Sequence, residues 1–122
     1  MKTIWADGAQ TRVALVDDEG FREIVPIVGK VTGNHGEWLA LIHALDFVHK
    51  LGYNKGEVEI RMDSQLIVNQ FNGLFRVKAP NMAKLFVLSQ ERWRDCTNRG
   101  TYPRAVWIPR EENRAGWLLE GR

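Results

Sequence analysis

Apolar and polar positions alternate along the first third of the chain, and the period of that pattern then changes twice. Lys2 to Ala9, Arg12 to Val16 and Arg22 to Val31 place β-branched, aromatic and aliphatic side chains in short alternating runs, which predicts three strands. Asp17-Asp18-Glu19-Gly20 supplies a hairpin turn between the second and third, so the three strands form an antiparallel meander. From Asn34 the spacing lengthens. Trp38, Leu41, Ile42, Leu45 and Val48 fall on one stripe of a helix, with Gly52 just past its end as a stop signal. Val58, Ile60 and Met62 return to a period of two, and at Asp63-Ser64 the pattern passes directly into Leu66, Ile67, Val68 and Phe71, a helix over Ser64 to Asn72 closed by Asn72-Gly73.

Pro80-Asn81 opens another helix, which carries Met82, Leu85, Phe86, Leu88 and Ser89 and runs to about Cys96. Thr101 to Ile108 reads as a last strand stopped by Pro109, and Glu111 to Leu119 as a short terminal helix. Strand, helix, strand order after a meander requires right-handed crossovers and a mixed sheet. The expected fold is therefore α/β, with a sheet flanked by helices and functional groups gathered at strand ends. No repeat, linker or low-complexity segment interrupts it.

A length of 122 residues indicates one domain, and 44% hydrophobic content with five Trp is enough for a sizeable core. Cys96 is the single cysteine, which excludes a disulfide framework or a paired thiol site and suits an inert thiol in a reducing compartment. No segment approaches the roughly 18 apolar residues of a membrane span, and no cleavage signal follows Met1, so the chain is expected to be soluble and cytoplasmic. The net charge of +2 is unevenly distributed. Residues 1–73 hold 7 Lys/Arg against 10 Asp/Glu, whereas 74–122 hold 10 against 5. An acidic half and a basic half suit a protein that holds cations at one place and phosphates beside it.

Three carboxylates stand at the predicted junctions. Asp7 ends the first strand in WADGA, Glu37 lies in the first turn of the long helix in TGNHGEW, and Asp63 ends the later strand. Each has an ordinary explanation: Asp7-Gly8 as a turn, Asn34 to Glu37 as a capping box, Asp63 as the cap of the following helix. Together they read differently, because strand-end aspartates on neighbouring parallel strands can face a glutamate at a helix start. Clustered carboxylates repel unless a cation neutralises them. Oxygen ligands without Cys or His at metal spacing favour Mg²⁺ or Mn²⁺, whose work would be to activate a water and steady a leaving oxygen on phosphate. His43 and His49 fall inside a helix and have no triad partner. His35 lies two residues before Glu37, within reach of such a site.

The text around these acids resembles the type 1 ribonuclease H family, in particular the small forms without a basic protrusion. The matching pieces are WADGA, TGNHGEWLALIHAL, IRMDSQLIVNQFNG, RVKAPNMAKLF and WIPREENRAGWLL, in the family's order over nearly the whole chain. The resemblance implies a five-stranded mixed sheet whose first three strands are antiparallel. It also implies hydrolysis of the RNA strand of an RNA/DNA hybrid by two magnesium ions, leaving 3′-hydroxyl and 5′-phosphate ends. Asp7, Glu37 and Asp63 match the first three catalytic carboxylates. Asn34 matches an asparagine that reads the minor groove, and Ser64 and Gln65 follow the aspartate as in the family. Gly8, Arg76, Lys78 and Arg110 are further candidate nucleic-acid contacts, reading 2′-hydroxyls, groove shape and phosphates rather than base sequence. No protein partner is implied, and a monomer is expected.

Two departures qualify the match. The family's glycine-rich loop after the first aspartate is replaced by the short run Gly8-Ala9-Gln10-Thr11, so the first hairpin must be tighter. The tail reads Asn113-Arg114-Ala115-Gly116-Trp117, so Gly116 or Trp117 occupies the place of the family's fourth aspartate. Water, a substrate oxygen, Glu112 or Glu120 are the candidate replacements, Glu120 only if the terminal helix persists that far. The retained acids favour a nuclease. The missing acid favours a domain that binds hybrid or double-stranded nucleic acid without cutting it.

Overall fold

A computed structural model describes residues 1–50 and 56–122. Its five strands are β1 (Lys2–Gly8), β2 (Arg12–Asp17), β3 (Arg22–Pro26), β4 (Gly56–Met62) and β5 (Thr101–Trp107). They form one sheet in the order β3-β2-β1-β4-β5. β1 to β3 pair antiparallel, and β4 pairs in parallel with both β1 and β5. The helices are α1 (Gly33–Lys50), α2 (Gln65–Phe71), α3 (Pro80–Asn98) and α4 (Arg114–Leu119), with a 3₁₀ turn at Arg110–Glu112. The expected mixed sheet with an antiparallel meander is what forms.

Strand alternation divides the core in two, because successive side chains leave opposite faces. Ile4, Ala6, Val13, Leu15, Val58, Ile60 and Met62 face one way and pack with Trp38, Leu41, Leu45 and Val48 of α1 and with Ile67 and Phe71 of α2. Trp5, Ala14 and Val16 face the other way, against Ala115, Leu118 and Leu119 of α4. The stripe of α1 inferred from the sequence is buried at every position.

Among the boundaries that differ from the sequence reading, four have a local physical cause. The third strand stops at Pro26 rather than Val31: Ile27 N–H still donates to Thr11 O at 2.8 Å, but the chain then turns at Gly29 with φ of +80°. The long helix begins at Gly33, capped by Thr32, whose hydroxyl accepts from the His35 N–H at 3.2 Å; Asn34 is thus not the cap. The helix after Asp63 is capped by Ser64, whose hydroxyl accepts from the Ile67 N–H at 3.3 Å. The terminal helix is split, because Asn113 is extended at φ −83° and ψ 102° and caps a separate six-residue helix. Gly52, the expected stop of the long helix, lies outside the described residues.

β5 forms one border of the sheet, and two of its outward carbonyls are covered. Trp93 Nε1 donates to Pro103 O at 2.8 Å, Asn72 Nδ2 donates to Ala105 O at 3.1 Å, and Pro103 has no N–H to offer. At the other end of the meander, Lys2 Nζ lies 3.0, 3.1 and 3.3 Å from Asp17, Asp18 and Glu19, fastening the β2–β3 turn to the start of β1.

The end of β1 lies directly on the start of α1. A Cβ on Gly8 would sit 2.0 Å from Gly36 O, and a Cβ on Gly36 would sit 2.0 Å from Ala9 O. Only backbone fits between the two elements, so glycine is required on both sides. Gly36→Ala is expected to cost about 3 kcal/mol or more, the upper end of overpacking effects, since backbone rather than side chain must move. Urea unfolding of the variant checks this, and a midpoint equal to that of the parent would show that the two segments separate freely.

Candidate active site

Asp7 and Asp63 reach the same end of the sheet because β1 and β4 run parallel. Glu37 is brought over them by the glycine contact between β1 and α1. Each of the three offers a carboxylate oxygen within 4.8 Å of the others, and among the described residues no further Asp, Glu, His or Cys joins that group. Gly8 N–H donates to Glu37 Oε1 at 3.3 Å, whereas Glu37 Oε2 is buried and has no hydrogen-bond partner among the described residues.

The electrostatics are those of crowded acids. Burial pushes Asp7 up to about 6, the charge of Asp63 adds to this, and Glu37, Arg110 and the Gly8 N–H oppose it. Burial pushes Glu37 up to about 9, reinforced by Asp7 and then Asp63, with only the Gly8 N–H opposing. Near neutral pH, Asp7 and Glu37 therefore share a proton unless a cation replaces it. Three hard oxygen donors, one of them buried without a partner, fit a divalent cation that prefers oxygen.

Asp63 is not a helix cap. Ser64 does that work, and Asp63 Oδ2 instead accepts from Asn113 Nδ2 at 2.9 Å. Of the two tail positions, Gly116 faces the cluster: a Cβ there would lie 3.3 Å from Asp7 Oδ2. Trp117 instead donates its indole N–H to Glu111 O at 3.0 Å and lies under the Arg122 guanidinium. Glu120 pairs with Arg122 at 2.8 Å and Glu112 is exposed in the 3₁₀ turn, so neither joins the three acids.

The other candidates divide into two groups. Asn34, Arg76 and Lys78 line one open groove of about 610 Å³, together with Trp38, Gln70 and Phe75. Gln65 is exposed and Arg110 is close enough to Asp7 to act on its charge. The first hairpin is tight, with Ala9 N–H bonded to Arg12 O at 2.9 Å. His35 is half-buried at the start of α1, His43 is bonded to Glu23 at 2.6 Å, and Cys96 is buried, its thiol pushed up to about 11 by burial and by Asp95 and Asp46.

Sequence reasoning missed Gly36 and Asn113. Gly36 directly precedes Glu37 at a helix start, where a residue without Cβ is a sign of close backbone approach. Asn113 carried the signal of a helix cap, Asn before an apolar turn. Its long-range bond to Asp63 had no local signature.

A five-stranded mixed sheet with these acids at its parallel strand ends defines a ribonuclease H-like domain. A family model described as reverse transcriptase-like matches residues 6–118, and the chain belongs to this ribonuclease H-like family. It is similar to the bifunctional protein Rv2228c of Mycobacterium tuberculosis, with 37% identity over 86 residues, 70% of this chain and 22% of that protein. The matched stretch thus spans less than a quarter of that relative's length. Two solved structures are also similar. LC11-RNase H1 in complex with an RNA/DNA hybrid has a TM-score of 0.78 and 30% identity, covering 98% of this chain and 93% of that one. RNase H1 from the halophilic archaeon Halobacterium salinarum has a TM-score of 0.77 and 26% identity, covering 97% and 92%.

The raised pKa values have a consequence for stability without metal. Glu37 ionises from 4.5 upward in the unfolded chain but near 9 in the fold, so the folded state binds more protons across that window. Asp7 acts in the same direction between 3.8 and about 6. Stability in chelator therefore falls as pH rises through these ranges. Glu37→Gln should melt above the parent on the alkaline side and lose that advantage below 4.5. Thermal melts across pH in EDTA check this; a parent melting temperature that does not fall above 4.5 would show that the acids are not held protonated.

Proposed function

We propose that this domain is an endonuclease that hydrolyses the RNA strand of RNA/DNA hybrids with Mg²⁺ or Mn²⁺, leaving 3′-hydroxyl and 5′-phosphate ends by a two-metal-ion reaction. The observation that carries the reading is the convergence of Asp7, Glu37 and Asp63 within 4.8 Å, two of them with pKa values raised by burial and mutual repulsion. The hybrid bound to a similar solved structure supports the choice of substrate.

Asp7, Glu37 and Asp63 would hold the ions. When bound, these supply the positive charge that lowers the pKa of an attacking water and stabilises the leaving oxygen. The chain's own part is to fix the acids on rigid elements, in β1, just after β4 and near the start of α1, before substrate arrives. Arg110, close enough to act on the charge of Asp7, would meet a backbone phosphate. The groove along Asn34, Gln70, Phe75, Arg76 and Lys78 continues from the first turn of α1, with cations for phosphate and apolar surface for sugar and base.

One observation favours a second reading, a domain that binds hybrid or double-stranded nucleic acid without cutting. Gly116 brings no carboxylate to the position facing Asp7. A labelled hybrid incubated with Mg²⁺, Mn²⁺ or EDTA separates the two: the nuclease cuts the RNA strand with metal, leaves DNA duplex intact and stops on chelation. Binding without cutting in either metal would establish the alternative.

Asp63→Asn should abolish cleavage without lowering stability, because helix capping belongs to Ser64 and the substitution removes a charge that crowds Asp7 and Glu37. By contrast, Ser64→Ala should lose about 1 kcal/mol of stability. Parallel loss of stability and activity in Asp63→Asn would refute this division of roles.

Gly116→Asp should raise the cleavage rate at limiting Mg²⁺, since it sets a carboxylate beside Asp7. In EDTA the same acid adds repulsion, so the variant should melt below a Gly116→Asn control, and Mn²⁺ should reverse that order. No metal-dependent difference between Asp and Asn in either rate or melting would remove Gly116 from the site.

A further inference from the structure

Asn113 is wholly buried, and its amide ties three separate segments together. Nδ2 donates to Asp63 Oδ2 at 2.9 Å and to Ala6 O at 3.0 Å. Oδ1 accepts the Ala115 N–H at 3.1 Å, capping α4. Both faces of the amide are thus assigned by their partners: only the nitrogen can meet a carboxylate and a carbonyl, and only the oxygen can meet an N–H.

We infer that Asn113 is a positioning residue for the reaction, which fixes the orientation of the Asp63 carboxylate and makes it depend on the docking of α4. The inference rests on the proposed metal-holding role of Asp63. A carboxylate with one oxygen held by an uncharged donor loses rotational freedom but keeps its charge. The donor is itself immobilised by Ala6 O on β1, the strand that carries Asp7, so Asn113 ties the ends of β1 and β4 to one another. Ser or Thr at this position keeps an acceptor for the Ala115 N–H but is too short to retain both amide donor contacts. Asp would put a second charge where Asp63 now finds a donor. With Gly116 lacking a side chain, the terminal helix reaches the acids through this amide.

The test separates positioning from capping. Asn113→Ser retains a capping oxygen and removes the amide donors, whereas Asn113→Ala removes both. Calorimetric titration with Mn²⁺ should show affinity weakened about 10- to 100-fold in Asn113→Ser, the usual effect of losing a residue that orients a metal-binding group. Its kcat on hybrid should fall over the same range while KM stays near that of the parent. Asn113→Ala should melt lower than Asn113→Ser yet bind Mn²⁺ no more weakly. Asn113→Thr, closer in volume, serves if the Ser variant does not fold. A folded Ser or Thr variant with parental Mn²⁺ affinity overturns the inference, as does affinity that simply tracks melting temperature across the series. A parent protein that neither binds Mn²⁺ nor cuts hybrid overturns the functional reading itself.

Discussion

The backbone contact between Gly8 and Gly36 sets the geometry on which the rest of the site depends. Parallel pairing of β1 with β4 accounts for the two aspartates, but a helix packed on a sheet at the ordinary side-chain separation would hold Glu37 too far from them. Removing Cβ from both partners lets the carbonyl of Gly36 approach the position a side chain on Gly8 would fill, and the Gly8 N–H then reaches Glu37. The repulsion among the acids works against this approach. It is opposed by the core below it, where Trp38, Leu41 and Leu45 of α1 pack on Ile4, Ala6 and Leu15. Hydrophobic burial over the length of α1 thus stabilises an electrostatically unfavourable arrangement near its N-terminal end.

The acidic site and its supports differ in how they are encoded. Asp7, Glu37 and Asp63 could be found from the sequence because each stands where one period gives way to another, and the change from two to 3.6 at Asp63 is local. The core stripe of α1 was legible for the same reason. β3 was read too long because Ile27 and Val31 prolong the alternation; Ile27 still packs on the core and donates to Thr11 O, but the turn at Gly29 takes the chain out of the strand. The terminal helix was read as one piece because Glu111 and Glu112 suit a first helical turn, and the break at Asn113 is made by its own capping bond. Thr32 and Asn34 are both good cap residues, and only the backbone path selects Thr32.

Long-range polar contacts were the least legible. Asn113 meets Asp63 across 50 residues of sequence and Ala6 across 107, so no window of pattern contains the pair. Gly116 was narrowed to two positions by the family's spacing, and the choice needed the direction in which α4 presents each residue. Trp117 is anchored outward by its bond to Glu111, which leaves the glycine turned toward Asp7.

The covered border of the sheet bears on what kinds of recognition this surface permits. With Pro103 lacking a donor and the carbonyls of Pro103 and Ala105 already taken by Trp93 and Asn72, β5 cannot serve as a template for an incoming strand. The opposite border, β3, is five residues long and ends in proline. Main-chain zippering, which is indifferent to sequence and invites self-association, is therefore closed along β5 and short along β3. What the molecule offers its surroundings is chiefly a pattern of side chains and the open ends of parallel strands.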